Sequence, residues 1–461
     1  MTAEGAPAEG GPAEGGAAEG GPAEGGAAEG APAESGPAVP EGSRAPADPQ
    51  ATGRLLIVVN DLLVYRAAST QPTGIRRLVE GYARHLPAIA ATLGLDVRMV
   101  VVAGDAVCET AEDVTAAGRG RLARGAELAL RISAHAPRGI QERARTTGRR
   151  LLARRAGSGG RALDVGPRDT LLILGAPWIA PGMGAGAVAV RARSGARLAQ
   201  LVHDMLPITG ARWYGDAQGV AAAADLRALL VAADALAAVS PEVAAQAAEV
   251  AGRAVTPVPP PDPALPAPAD PRGLCTQAPY ILTVGTLHPR KNHVLLLDAW
   301  SRWLASASDA GAGRVPFLVI AGRRHPRDGV VFERLAAEPA LRTRVRVVTD
   351  ASDPELAALY DGCRFLAFPS FAEGWGLPIR EALRFGKPSI VTDAIPTSDV
   401  SPFVEVIPTG DGDALYAAIR RWWDDPAEVA SRADIIRERF VPRDWDRACL
   451  DLLAAVLPGD S

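Results

Sequence analysis

Residues 365–392, FLAFPSFAEGWGLPIREALRFGKPSIVT, constrain the fold of this chain more than any other stretch. The short apolar run Phe365–Phe368 is typical of a buried strand, and a loop rich in Pro, Ser and Gly follows it. The spacing then predicts a helix over 377–385, which a Gly-Lys-Pro sequence ends, and a second strand over 389–391. This strand–loop–helix–strand unit is typical of a parallel α/β sheet, whose loops at the carboxyl edge bind ligands.

Two carboxylates mark the loop and the helix of this stretch, Glu373 and Glu381, with seven residues between them. Gly374 and Gly376 leave the backbone bare enough to approach a sugar or a phosphate. Glu373 precedes the helix and Glu381 lies about one turn inside it, so both can face a ligand near the helix N-terminus. Two glutamates at this spacing also occur on solvated helix faces, and only the Gly/Pro loop between two strands favours a site.

The same alternation of strands and helices occurs on both sides of a segment that holds nine prolines between Thr256 and Pro279. The predicted fold is α/β, with two Rossmann-like, doubly wound domains that face each other across a cleft. The predicted parts are a disordered tail over 1–52, an N-terminal domain over 53–256, an extended linker over 257–279, a C-terminal domain over 280–440 and a final segment over 441–461 that is apolar on one face.

The tail repeats a glutamate every five residues within Gly, Ala and Pro, from Glu4 to Glu34. It has little apolar surface to offset the entropy of ordering, so we expect it to be a disordered spacer or, alternatively, a partner-binding arm. With Arg44 included, residues 1–52 carry a charge of −8. The whole chain carries −4, so the remainder carries +4. No apolar run of eighteen residues, no signal-type N-terminus and four widely spaced cysteines predict a cytoplasmic protein.

A basic stretch lies within the first domain, where twelve arginines fall between Arg119 and Arg161 against two glutamates. This stretch is either an ordinary solvated insertion or a patch for peripheral contact with an anionic membrane or a diphosphate-lipid acceptor. Nucleic acid is not an expected partner, because no aromatic residues that could stack on bases interleave with the arginines.

Three further loops follow predicted strands. Gly74 lies in PTGIRR ahead of a helix, where free backbone N–H groups can meet an anion. His203 follows the strand Arg197–Val202 directly. The loop Gly285–Asn292, with Thr286 in it, follows the strand Tyr280–Val284 and brings Arg290 and Lys291 to the same edge as the Glu373 loop, where two cations can hold a diphosphate. Each loop could also be purely structural.

The stretch Pro369-Ser370-Phe371-Ala372-Glu373-Gly374-Trp375-Gly376-Leu377-Pro378, ending in Glu381-Ala382, resembles the donor-site signature of retaining, family 4 type glycosyltransferases with the GT-B fold. TGIRR, HDMLP and VGTLHPRKN resemble three further elements of that family. The family has Arg in many members where Thr286 stands, and we expect Arg290 to supply that charge. In the family's fold the last helix commonly crosses back to the N-terminal domain.

The resemblance implies an acceptor-side N-terminal domain and a C-terminal domain that binds a nucleotide diphosphate sugar. Glu373, His203 and Lys291 are the implied catalytic residues. The implied donor-binding residues are Glu381, Arg290, Lys291, Gly285, Thr286, Ser370, Gly374, Gly376, Leu377 and Gly74.

The implied activity is retaining transfer of a hexose to a polysaccharide or lipid-linked saccharide, with GDP-mannose as the first choice of donor. No Asp-x-Asp pair is placed to chelate a metal at the phosphates, so we expect no metal and no cofactor. Two alternatives stay open: a UDP-sugar-dependent transferase of the same fold and a non-catalytic scaffold that binds nucleotide sugars.

Overall fold

The computed structural model describes residues 53–68, 74–110, 161–180, 182–214, 217–262, 264–274, 279–307 and 315–458, all of which belong to one compact unit, Asp48–Ser461. The predicted tail over 1–52, the start of the PTGIRR loop and nearly all of the basic stretch lie outside the described residues. No described helix is long and apolar enough to cross a membrane.

The first half builds a sheet with the strand order β4-β3-β2-β1-β5-β6-β7-β8. The strands from β2 through β8 in this order are parallel, whereas β3 and β4 add an antiparallel edge. The strands are β1 Arg54–Val58, β2 Asp96–Ala103, β3 Ala106–Glu109, β4 Ala162–Leu163, β5 Thr170–Ile173, β6 Arg197–Val202, β7 Ala235–Ala238 and β8 Thr256–Pro257. The central strands are buried on both faces and read as continuous apolar runs.

Helices connect these parallel strands, as parallel pairing requires. They are α1 Asn60–Ala68, α2 Gly74–Thr92, α3 Met183–Ser194, α4 Leu206–Thr209, α5 Ala211–Tyr214, α6 Ala217–Ala232 and α7 Pro241–Ala251. Ser240 caps α7 by accepting the Val243 N–H at 3.2 Å, and Pro241 starts the helix without an unpaired donor.

The second half builds a six-stranded, wholly parallel sheet with the order β11-β10-β9-β12-β13-β14. Its strands are β9 Tyr280–Val284, β10 Phe317–Ala321, β11 Val345–Val348, β12 Phe365–Phe368, β13 Ser389–Thr392 and β14 Val404–Ile407. Its helices are α8 His293–Ser306, α9 Gly329–Ala337, α10 Pro339–Arg342, α11 Asp353–Gly362, α12 Leu377–Arg384, α13 Gly412–Asp424 and α14 Pro426–Arg439.

These two sheets confirm the predicted α/β fold with two Rossmann-like halves. The strand–loop–helix–strand unit over 365–392 is present as β12, α12 and β13. The helix after Gly74 continues through Pro87 to Thr92. Pro257, the first residue of the predicted linker, pairs with β7 as the last residue of β8.

The final helix, α15 Trp445–Val456, packs against α2 and β7 and completes the core of the first half. The Trp445 ring stacks on His85 with centroids 5.0 Å apart and meets Tyr82 edge-on at 5.4 Å. Gly81 makes room for it, because a Cβ atom there would lie 1.8 Å from the indole ring.

Gly81→Ala is therefore expected to displace Trp445 and to lower the free energy of unfolding by about 1–3 kcal/mol, the usual effect of overpacking. For domains of this size, thermal unfolding should move down by roughly 2–4 °C per kcal/mol. Gly166→Ala is the matched control, since its added methyl group meets nothing within 4 Å. Equal melting temperatures for the two variants would contradict this account of the helix docking.

Candidate active site

The two loops of the predicted site leave neighbouring strands of the second sheet. β9 lies between β10 and β12, so the connections from β9 and β12 leave on opposite sides of the sheet and a crevice opens between them. This is the switch point at which open parallel sheets bind ligands. A cavity of about 300 Å³ lies there, and residues of both halves of the chain line it.

Glu373 binds both predicted cations. Lys291 Nζ donates to Glu373 Oε1 at 2.6 Å, and Arg290 Nη1 lies 2.8 Å from the same oxygen. Burial alone would raise the pKa of Glu373, but the charges of Arg290 and Lys291 outweigh it and lower the pKa to about 2. Burial lowers the pKa of Lys291 to about 8, because the attraction of Glu373 offsets it only in part. The three groups thus form a buried cluster with a net positive charge at neutral pH.

Glu381 lies deeper in the same cavity and is held by two donors. Arg77 Nη1 donates to its Oε1 at 3.0 Å, and the Tyr360 hydroxyl donates to its Oε2 at 2.7 Å. Burial raises the pKa of Glu381 against the opposing charge of Arg77. Each carboxylate oxygen has a second lone pair, so the carboxylate retains acceptor capacity for the two hydroxyls of a diol.

Arg77 connects the two halves of the chain. It comes from α2 in the first half, and its second Nη donates to Asp353 at the start of α11 in the second half. With Glu381 as its other partner, Arg77 bridges the cleft directly beside the cavity.

His203 lines the cavity from the first half and is buried. Its Nε2 lies 2.6 Å from the Leu174 carbonyl oxygen, which can only accept, so Nε2 carries the hydrogen and Nδ1 is an acceptor. Nδ1 has no hydrogen-bond partner. Burial lowers the pKa of His203 to about 4, so the imidazole is neutral near pH 7. The side chain can therefore accept a hydrogen bond from a ligand hydroxyl.

Two positions of the Glu373 loop require glycine, each for a different structural reason. A Cβ atom at Gly374 would lie 1.8 Å from the His203 carbonyl oxygen, so only glycine lets the two halves meet there. Gly376 has a φ of 83° and caps α12 in the left-handed conformation, which favours glycine. Gly74 meets the same loop from the first half, since a Cβ atom there would lie 3.1 Å from the Leu377 side chain.

The cavity brings together almost all of the predicted residues. Those that line it are Gly74, His203, Gly285, Thr286, Arg290, Lys291, Glu373, Gly374, Gly376, Leu377 and Glu381. Ser370 is not among them, because its side chain is fully buried and its carbonyl accepts from Thr392 Oγ1 at 2.5 Å. Arg77, Tyr360 and Asp353 had no predicted role in the site, and the place of Arg77 in TGIRR was the one signal for them in the sequence.

No three His, Cys, Asp or Glu side chains gather into a potential metal site anywhere in the described part of the chain. Asp204 also lines the cavity, and burial raises its pKa against the charge of Arg290. The polar lining of the cavity thus consists of carboxylates, cations, an imidazole, threonine hydroxyls and backbone groups.

Known proteins resemble this chain in sequence over part of its length and in fold over most of it. Residues 270–439 match the family model for glycosyl transferases group 1. The match covers most of the second half of the chain, which is thus similar to group 1 glycosyltransferase domains. The sucrose-phosphate synthase of Thermosynechococcus elongatus superposes with a TM-score of 0.56 over 87% of this chain and 97% of its own, at 19% identity. The chain therefore carries its glycosyltransferase domain within a GT-B fold.

The relatives by sequence are mannosyltransferases. The chain is 34% identical to the serotype-specific mannosyltransferase WbdA of Escherichia coli over 116 residues. This aligned region covers 25% of the chain and 14% of WbdA. The chain is also 31% identical to the O-antigen chain mannosyltransferase B of Escherichia coli over 166 residues. This aligned region covers 36% of the chain and 38% of that relative. The similarity thus spans well under half the length of these relatives.

Proposed function

We propose that this chain is a retaining, metal-independent glycosyltransferase that moves a hexose from a nucleotide diphosphate sugar to a saccharide or lipid-linked acceptor. The observation that carries the proposal is the placement of Glu373, Arg290 and Lys291 at the switch point of one half, opposite His203 of the other. Mannose is the first choice of sugar, and GDP-mannose the first choice of donor, because the relatives named above are mannosyltransferases.

The donor would lie along the cavity with its ribose at Glu381 and its hexose at Glu373. Glu381 accepts from the ribose diol through the acceptor positions that Arg77 and Tyr360 leave open. Arg290 and Lys291 bind the diphosphate, and their positive charge then faces both the diphosphate and the carboxylate of Glu373.

Transfer requires that charge be stabilised at two places. As the bond between the anomeric carbon and the phosphate oxygen breaks, positive charge grows on the sugar ring beside the ionised Glu373. Negative charge grows on the diphosphate beside Lys291 and Arg290. In a same-face mechanism the acceptor oxygen bonds to the anomeric carbon and its proton passes to the departing phosphate oxygen, so that configuration is retained. Neutral His203 accepts from a sugar hydroxyl and orients the ring.

We place this reaction in the cytoplasm, at the inner face of the membrane when the acceptor is lipid-linked. The mildly basic charge of residues 53–461 suits an anionic surface. The basic stretch over 119–161 would supply the peripheral contact, and co-sedimentation with anionic vesicles would test it.

Thermal unfolding with GDP or with UDP, each with and without EDTA, tests the proposal first. A ligand at about a hundred times its dissociation constant adds about 2.7 kcal/mol to the free energy of unfolding. This corresponds to a rise of several degrees, at roughly 2–4 °C per kcal/mol. We expect GDP to raise the melting temperature and UDP to raise it less.

A shift with UDP alone would overturn the donor and favour a UDP-sugar transferase of the same fold. A GDP shift without release of GDP from GDP-mannose in the presence of saccharide acceptors would favour the non-catalytic scaffold. No shift with either nucleotide would contradict the proposed function. A shift that EDTA abolishes would contradict metal independence.

A further inference from the structure

A cluster of aromatic side chains crosses the cleft beside the candidate active site. It consists of Trp213 and Tyr214 of α5, His288 of the loop after β9, His325 of the loop after β10, and Phe371 of the loop after β12. The rings of Trp213 and Phe371 lie 5.4 Å apart with their planes inclined by 31°, and His288 lies 6.2 Å from Trp213 and 6.1 Å from Tyr214. We refer to these five side chains as the aromatic seam.

Core packing does not account for the aromatic seam. Trp213, Tyr214 and Phe371 are only partly buried and belong to none of the three hydrophobic cores. Aromatic residues make up only 5% of this chain, so their gathering at one place outside the cores is notable. Half-exposed rings at the edge of a cleft are a typical feature of a binding surface.

A cavity of about 260 Å³ lies against the rings of Trp213 and Phe371. Leu287, Val294 and Val331 supply apolar walls, and none of the described residues that line it is an aspartate, a glutamate, a lysine or an arginine. The cavity therefore favours a neutral ligand with an apolar face, since a charged group would be desolvated there without a partner.

Three uncharged polar side chains also line this cavity: His288, Asn292 and His293. Burial lowers the pKa of both imidazoles to about 3, so they are neutral. His288 Nδ1 accepts the Arg290 N–H at 3.0 Å, which leaves the hydrogen on Nε2. Asn292 is more than nine-tenths buried, and its amide nitrogen has no hydrogen-bond partner. The surface of the cavity is thus almost entirely apolar, and the few hydrogen-bonding side chains at its wall are uncharged.

The cavity adjoins the site of sugar transfer. The Phe371 N–H donates to the Arg290 carbonyl oxygen at 2.9 Å, and Arg290 contacts Glu373. Arg212 lies over both rings, with its Cζ 4.6 Å from the Trp213 centroid and 5.2 Å from that of Phe371. Its guanidinium adds hydrogen-bond donors above the rings.

We propose that the cavity between Trp213 and Phe371 is a subsite for one sugar ring of the saccharide acceptor, which makes these two residues determinants of acceptor specificity. A pyranose ring matches the cavity through its C–H face, which packs on the aromatic rings, while its hydroxyls face the open side of the cavity and the guanidinium of Arg212. Trp213 belongs to the first half and Phe371 to the second, so the subsite is complete only when the two halves meet. This inference rests on the glycosyltransferase function proposed above.

The test is saturation-transfer NMR on the full chain with α-linked mannotriose and, in parallel, maltotriose as probes, each with and without GDP. We expect at least one trisaccharide to bind. Trp213→Ala should weaken that binding by about tenfold, the size of an aromatic contact, whereas Trp213→Phe should keep it within about twofold. Phe371→Ala, on the other half, should also weaken it.

Trp423→Ala is the matched control. Trp423 is also half-buried and also has an arginine over its ring, Arg364 at 4.7 Å, but it lines neither cavity. This variant should bind the trisaccharide as the unaltered chain does, and all variants should keep their thermal shift with GDP or UDP.

Unchanged trisaccharide binding in both Trp213→Ala and Phe371→Ala would overturn the subsite, as would binding of neither trisaccharide by the unaltered chain. Loss of the nucleotide shift in Trp213→Ala with saccharide binding intact would assign the rings to a nucleobase instead. A chain that binds the trisaccharide through Trp213 but responds to no nucleotide would leave the subsite standing and contradict the transferase function alone.

Discussion

Glu373→Gln is expected to lower turnover by roughly 10²–10³-fold, the usual effect of removing a group that stabilises transition-state charge. Glutamine keeps the shape of the side chain but removes the negative charge that faces the developing positive charge on the sugar. Nucleotide binding should be unchanged or tighter, because Lys291 and Arg290 lose the carboxylate with which a diphosphate competes. The variant therefore separates catalysis from donor binding.

Steady-state kinetics and the thermal shift with nucleotide measure these two effects separately. Glu428→Gln is the control, since Glu428 pairs with Arg432 at 2.9 Å on α14, away from the cavity, and partly exposed ion pairs contribute little. The unliganded Glu373→Gln chain should also melt lower, because it leaves two buried cations without their partner. Equal and mild losses of turnover and binding would contradict the role given to Glu373.

The part of the site that the sequence predicted is the part built from local structure. The order of strand, glycine loop and helix in 365–392 is a property of consecutive residues, and the structure contains it as β12, α12 and β13. The loop Gly285–Asn292 was also predicted from consecutive residues, because it follows a strand and precedes a helix. Parallel strands bring their carboxyl ends to one edge, so the pairing of Lys291 with Glu373 follows once both loops are placed on neighbouring strands.

Contacts between the two halves could not be predicted in this way. Arg77 reaches Glu381 across 304 residues of sequence, and no spacing rule relates an arginine on one helix to a carboxylate in another domain. The sequence indicated TGIRR as a loop whose backbone N–H groups can meet an anion, whereas in the structure its second arginine bridges to Glu381 and Asp353. Tertiary packing alone determines this partner choice.

The contacts of the proline-rich segment between the halves could not be predicted from the sequence either. The proline content predicted an extended segment, but Asp262 within it is buried and specifically bound. Its backbone N–H donates to the Arg443 carbonyl, and its Oδ2 accepts the Arg443 N–H at 2.9 Å. Its other carboxylate oxygen accepts from Arg380 at 3.3 Å, and Arg380 lies 3.5 Å over the Trp375 ring. Asp262 thus connects the proline-rich segment and the backbone at Arg443 to Arg380, which packs on Trp375 of the Glu373 loop. Composition cannot indicate these contacts.

Lys291→Met is expected to lower kcat/KM by roughly 10²–10³-fold, because it removes one of the two cations that face the departing diphosphate. The buried Glu373 keeps only Arg290 as a partner in this variant. Lys291→Arg keeps the positive charge and should retain more activity than Lys291→Met, although the planar guanidinium fits a site shaped for an ammonium group imperfectly.

The pH dependence of kcat/KM distinguishes the charge of Lys291 from its shape. Because its pKa lies at about 8, the free enzyme has the required ammonium below that pH and loses it above. Between neutral pH and about pH 10, Glu373 stays ionised because its pKa is about 2. His203 stays neutral there because its pKa is about 4. A plot of kcat/KM, which reports the free enzyme, should therefore be level at neutral pH and fall above about pH 8.

Lys291→Arg should remove that alkaline fall, because a guanidinium stays protonated throughout. In the unaltered chain, the contribution of Lys291 to the free energy of unfolding should instead become more favourable as the pH rises. The folded-state pKa of Lys291 lies below its ordinary value of 10.5, so burying the ammonium opposes folding below about pH 8. That penalty is relieved as the pH rises from about 8 to about 10.5. An alkaline fall that persists unchanged in Lys291→Arg would show that another group titrates, and would remove Lys291 from the mechanism as drawn.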